Sequence, residues 1–118
     1  MANTLLLKTY DGGNDYATAN TDASVYTVPS AKTTIVIGFM ISNLTTNTIV
    51  VGVKITDSDV GQNGQTVNFM KNISVPSGSS LEIMGGNKMI LNAADELLVT
   101  SDTANSFDVT LSIVEQDV

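Results

Sequence analysis

Along most of this chain, apolar residues alternate with small polar ones, and the alternation is broken by Gly, Pro and Asn. The most regular stretch is near the end, where Phe107, Val109, Leu111 and Ile113 alternate with Asp108, Thr110 and Ser112. A strand turns successive side chains to opposite faces, so this period of two predicts a half-buried antiparallel strand. Ile49, Val51, Val53 and Ile55 mark the inner face of another. Between them in character lies the segment from Ile35 to Ile41. Ile35, Ile37, Phe39 and Ile41 share one parity, while Val36, Gly38 and Met40 share the other. Both sets are mostly apolar, which predicts a strand covered on both sides.

Shorter strands are predicted at Leu5–Tyr10, Ser24–Val28, Leu81–Ile83, Met89–Leu91 and Leu97–Val99. Val67, Phe69, Ile73 and Val75 keep one parity along a further strand, and Lys71 interrupts it, so a bulge is expected there. The breakers are Asp11–Asp15, Pro29, Asn43–Asn47, the loop Asp57–Gln65, Pro76–Gly78, Gly85-Gly86 and Asn92–Asp95. Only Asn92–Leu98 offers an alternative, a single helical turn. About eight or nine short antiparallel strands with no convincing helix predict an all-β, two-sheet sandwich of Greek-key or jelly-roll type. One domain is expected, with residues 1–22 as an N-terminal strand and polar arm and residues 23–118 as the sandwich. Val28-Pro29-Ser30 leading to Ile37-Gly38 is echoed, at one constant offset, by Val75-Pro76-Ser77 leading to Met84-Gly85. Shared turn chemistry or a duplicated Greek-key half would each give this echo.

Composition narrows the function. The chain has 118 residues, with Thr, Val and Ile making up 37 of them, and these β-branched types suit a pleated surface. There is no His, Cys, Trp or Arg. Within one chain that excludes Ser–His–Asp and Cys–His catalysis, disulfides and thiolate or His-ligated zinc. Twelve acids against five Lys give a net charge of −7, which repels phosphate backbones and anionic lipid. Neither nucleic acid nor membrane is therefore an expected partner. Leu5-Leu6-Leu7 is too short for a signal-peptide core and has no cationic segment before it, so synthesis in a cytoplasm is expected.

The candidate sites are weak. Asp57 and Asp59 begin a loop that superficially looks like a calcium loop, but Asn68 stands where a bidentate carboxylate is needed. They are the weak metal-ligand candidates, and no cofactor is expected. Asp11–Asp15 could hold a cation but reads as a turn. Asp95 and Glu96 are adjacent and would face opposite ways, and Glu82 and Glu115 fall on different strands, so no carboxylate pair is indicated. Ser30 with Lys32 is a spacing common by chance. Gly85-Gly86-Asn87-Lys88 lacks the following helix of a phosphate loop. Asn43 and Asn72 begin glycosylation sequons without a secretory route. Met40, Met70, Met84 and Met89 lie in or beside strands, as core filler or as a packing surface for a partner. Tyr10 and Tyr16 flank the first acidic loop, where a carbohydrate- or receptor-binding module would expose aromatic rings; with Tyr26 they are the only tyrosines.

The run Val25–Ile35, then Ile41-Ser42-Asn43, Val75–Glu82, Lys88–Leu91, Leu97–Val99 and Asp108–Ser112 resembles small β-sandwich virion proteins of tailed bacteriophages, notably those of marine cyanophages. The resemblance spans about residues 23–116 and rests on turn and strand motifs. Ala31 and Ala94 stand where that pattern would carry Gly, so those turns could differ. It implies a non-enzymatic structural protein of the virion and supplies no catalytic residue. Capsid decoration as a homo-oligomer, a trimer for preference, on the major capsid protein is the first expectation. A neck, tail or fibre-associated protein is the alternative, with a carbohydrate- or receptor-binding module as the rival class.

Overall fold

A computed structural model describes residues 3–58 and 64–118. The elements in order are β1 (Asn3–Tyr10), α1 (Gly12–Asp15), β2 (Ala23–Thr27), β3 (Lys32–Asn43), β4 (Ile49–Asp57), β5 (Gln65–Val75), β6 (Ser80–Glu82), β7 (Met89–Leu91), β8 (Glu96–Ser101) and β9 (Phe107–Asp117). One sheet has the order β1-β9-β3-β6, with β7 also paired to β3; the other has the order β2-β8-β4-β5. All pairings are antiparallel. Strands alternate between sheets from β1 to β4, and β6 and β7 are two pieces of one interrupted strand along β3. That is a jelly roll of two four-position sheets, the sharper of the two architectures expected from the pattern.

The core lies between the sheets. Val109, Leu111 and Ile113 on β9 face Val51, Val53, Leu97 and Val99 on β4 and β8, and all are buried. Strict alternation made these strands legible. β3 is different, and here the predicted face is corrected. Thr34 and Val36 point inward, but so do Phe39 and Ile41, because the register against β9 slips between Val36 and Gly38. The extra residue, Ile37, bulges outward and switches the parity. Ile35 and Ile37 therefore lie on the outside, not with Phe39 and Ile41.

The break foreseen near Lys71 is present. Val51 pairs with Ile73, but Val53 pairs with Met70, so Met70 takes the inward place and Phe69 is displaced toward solvent. Asn92–Asp95 is a turn rather than helix; among the described residues the one helical turn is α1, at the segment that reads as a plain breaker. Gly12 is required there, because a Cβ would come within 2.0 Å of the Phe107 carbonyl oxygen. β1 pairs with β9 from Asn3 to Tyr10, which builds the N-terminal strand into the sheet edge. The two Pro turns of the internal echo occupy matching places: each carries the chain from the β2-β8-β4-β5 sheet to the other sheet. Ala31 and Gly78, matching positions of the echo, both take positive φ, 60° and 70°.

Candidate functional site

The residues that leave the core on the outer side of the β1-β9-β3-β7 surface form the most distinctive chemical feature. Register places Leu5 beside Val114, Val114 beside Ile35, and Ile35 beside Ile90. This is one unbroken apolar row across four strands. Its two ends are the most open, Leu5 at 75% and Ile90 at 68% exposure, and Leu7 in the next row is exposed too. Ile37 adds to it because of the bulge, and Gly38 beside Ser112 leaves the middle of the next row low. Glu82 beside Met40 and Asp108 beside Ser42 lie toward the far end, and exposed Lys88 lies two residues before Ile90, so the row Leu5, Val114, Ile35, Ile90 itself is uncharged but is flanked by charge. Lone exposed apolar residues are ordinary, whereas a contiguous row on one sheet face is a candidate contact surface.

The outer side of the other sheet has a polar groove of about 270 Å³. Gly52 lies at its floor, where a Cβ would meet Thr100 Oγ1 at 3.0 Å. Lys54 crosses it to pair with Asp22, Nζ to Oδ1 at 3.0 Å. Asn68, Lys71 and Asp102 complete the rim. Among the described residues its lining holds no aromatic ring.

The sequence-derived candidates scatter. Asp57 ends β4 opposite Gln65, and Asp59 lies outside the described residues. The neighbouring Ser58 is tied elsewhere: its N–H and Oγ both donate to Asp95 Oδ1 at 2.9 Å, while Asp95 Oδ2 accepts the Asn92 N–H at 2.8 Å. Asp95 is thus a buried fastener between the β4–β5 loop and the β7–β8 turn. No group of three or more His, Cys, Asp or Glu that could hold a metal occurs among the described residues. In the first acidic loop Asn14 Nδ2 donates to Asp11, and Asp108 Oδ1 accepts from the Gly13 N–H. Glu96 accepts from Ser24 Oγ at 2.7 Å and faces away from Asp95. Glu82 is on the outside of its sheet and Glu115 on the inside. Lys32, instead of pairing with Ser30, is bound by Asp117, whose hydrogen bond raises the ammonium pKa.

Asn43 is buried and fully engaged: Nδ2 donates to the Asn47 and Val75 carbonyls at 2.8 and 2.9 Å, and Oδ1 accepts from the Thr45 N–H. It fastens the β3–β4 loop to β5. The tyrosines are core residues too. The Tyr16 ring meets Phe107 edge-on at 4.8 Å, and Tyr10 stacks on Phe107 at 5.9 Å. Tyr16 Oη donates to the Thr21 carbonyl at 2.6 Å and accepts the Ser101 N–H at 3.0 Å. Tyr26, on β2, reaches across the core to Glu115 Oε2 at 2.6 Å and lies 2.7 Å from Thr34 Oγ1. Burial first, and then its bond to Glu115, push the Tyr26 hydroxyl up to about 12. This bridge between the sheets was missed in the sequence, although Glu115 continues the inward parity of Phe107 to Ile113 and so signals a buried acid needing a partner.

No family model and no curated protein matches the chain. Solved structures do. A protein of the Bacillus endospore appendages described as disulfide-linked pili superposes with a TM-score of 0.51 at 15% identity, covering 99% of this chain and 88% of that one. The protein of T=1 particles derived from infectious bursal virus gives 0.53 at 13% identity, covering 94% of this chain and 31% of its own. That of the T13 particle of the same virus gives 0.51 at 10% identity, covering 98% and 35%. The chain thus spans about a third of the length of those virus proteins and most of the appendage protein. At these identities the likeness is one of fold: a jelly-roll sandwich shared with proteins of virus particles and of a pilus.

Proposed function

We propose that this chain is a non-enzymatic structural subunit of a bacteriophage virion, and that it decorates the capsid as a homo-oligomer. The observation that carries the reading is the uncharged apolar row on the outside of a sandwich whose own core is already filled. A domain that exposes such a face is built to be covered by another protein. The fold agrees, since jelly rolls recur in particle-forming proteins, although a fold by itself does not fix a function. The net charge of −7 keeps free subunits apart before assembly. A neck, tail or fibre position draws on the same surface. The receptor-binding reading has less support: Tyr10, Tyr16 and Tyr26 serve the core, and the polar groove offers no ring on which a sugar could stack.

Immunogold labelling of purified particles tests the proposal. Label over the whole shell is expected for decoration, label at one vertex or along the tail selects the alternative position, and particles without label overturn the virion reading.

A further inference from the structure

We infer that the polar groove on the outer side of the β2-β8-β4-β5 sheet binds a carboxylated saccharide of the hexuronate type. Lys71 takes its carboxylate, and the side-chain amides of Asn68 and Asn72 take its hydroxyls. The inference goes beyond the assembly reading and does not rest on it. The groove and the apolar row lie on different sheets, so a partner covering the row leaves the groove open.

The backbone builds the groove. Val51 pairs with Ile73 and Val53 with Met70, so Lys71 and Asn72 stand as two residues against the single Gly52. A bulge of this kind re-aims the side chains it carries, and both residues line the groove. Gly52 and Thr100, partners in register, make a low floor. The strand order puts the segment leading into β2 on the other flank, where the Asn20 N–H donates to the Ser101 carbonyl at 2.8 Å. The space of about 270 Å³ lies just below the usual range of small-molecule sites and suits a short saccharide.

Its lining holds hydrogen-bonding groups that the protein leaves unused. Asn20 and Asn72 both take positive φ, 61° and 57°. An asparagine in a turn commonly spends its side chain on nearby backbone, as Asn43 does on the Thr45 N–H. Among the described residues the side-chain amides of Asn20, Asn68 and Asn72 have no protein partner, and no acid pairs with Lys71. The other charges are engaged: Asp22 holds Lys54, and Asp102 Oδ1 accepts the Val50 N–H at 3.1 Å.

These groups define the ligand. Each amide offers a donor and an acceptor side by side, which neighbouring sugar hydroxyls match. One free ammonium matches a singly charged carboxylate better than a phosphate dianion. Two lysines and two aspartates line the groove, in a chain with twelve acids to five Lys, so an anion is repelled less here than by the molecule as a whole. No aromatic ring is present to stack on a neutral sugar, so the carboxylate must supply the selectivity.

An NMR titration of the ¹⁵N-labelled full chain with digalacturonate tests this, with a neutral disaccharide, acetate and a Glu-rich peptide as parallel arms. Saturable shifts are expected at the Gly52, Lys71 and Asn72 amides with digalacturonate alone, weakening as salt is raised. Lys71→Gln, at an exposed position, should lower affinity about fivefold with an unchanged melt. Asn72→Gly keeps the left-handed backbone, removes the amide and should weaken binding too. Lys8→Gln, on β1, should bind like wild type. An absence of saturable shifts, equal shifts with any of the other three ligands, or full affinity in Lys71→Gln would each overturn the inference.

Discussion

Tyr26 shows how a single side chain joins the two sheets. Its hydroxyl lies between buried Thr34 and Glu115 and donates to the carboxylate, so Tyr26→Phe removes that donor from the core. Leaving a buried acceptor unsatisfied costs about 1–3 kcal/mol. Denaturant melts of Tyr26→Phe should show a loss of that size near neutral pH, and an unchanged midpoint would contradict the bridge. The same residue predicts an alkaline limb. The folded hydroxyl is held up to about 12, against an ordinary value of 10.0. A raised folded pKa gives stability that is fully present below the unfolded value and lost as pH climbs toward the folded one. Stability should therefore fall between about pH 10 and pH 12, and less steeply in Tyr26→Phe. Ala31 and Ala94 make a second residue-scale point. Their turns keep φ of 60° and 70° without glycine. A left-handed alanine costs about 1–2 kcal/mol, and glycine loses about 0.4–1 kcal/mol through its freer unfolded chain. Ala31→Gly should thus gain about 0.5–1 kcal/mol, a rise of a few degrees in melting temperature, while Ala93→Gly, at a position without positive φ, should lower it.

At the scale of elements, β3 shows what the hydrophobic pattern can and cannot reveal. β4 and β9 were legible residue by residue, because one face is core and the other is polar. In β3 both parities are apolar, so alternation carries no sign, and the bulge at Ile37 moves Phe39 and Ile41 to the face opposite the one their parity shares with Ile35. The same ambiguity hid the candidate interface: Ile35 and Ile37 read as core. Tyr16 was hidden for the opposite reason, since a ring in a polar loop looks exposed until α1 and Phe107 are in place around it. Removing Ile37 should delete the bulge and leave a regular ladder, with both flanking segments still facing as they do. Removing Thr110 from bulge-free β9 should turn Phe107 and Val109 outward relative to Leu111 and Ile113. Circular-dichroism melts should therefore show a cooperative transition in the first variant and none in the second; the reverse order would contradict the register.

For the whole molecule, the absences that removed most enzyme chemistry and the presence of the apolar row point the same way. On the proposed reading, a jelly roll with a filled core, net charge −7 and an apolar row on one outer face would stay dispersed when dilute and associate when gathered. Met40 reports on that state from the margin of the face. It is 39% exposed on the same outer side, beside Glu82 and beyond the apolar row, whereas Met84 is buried at 4% and Met70 belongs to the other sheet. Thioether oxidation follows solvent access. The most direct test compares peroxide oxidation of Met40 in the dilute free subunit and in purified particles, with Met70 and Met84 as references. Met40 should oxidise readily when free and be protected in the particle, while Met84 resists in both. Equal oxidation of Met40 in the two states would contradict it.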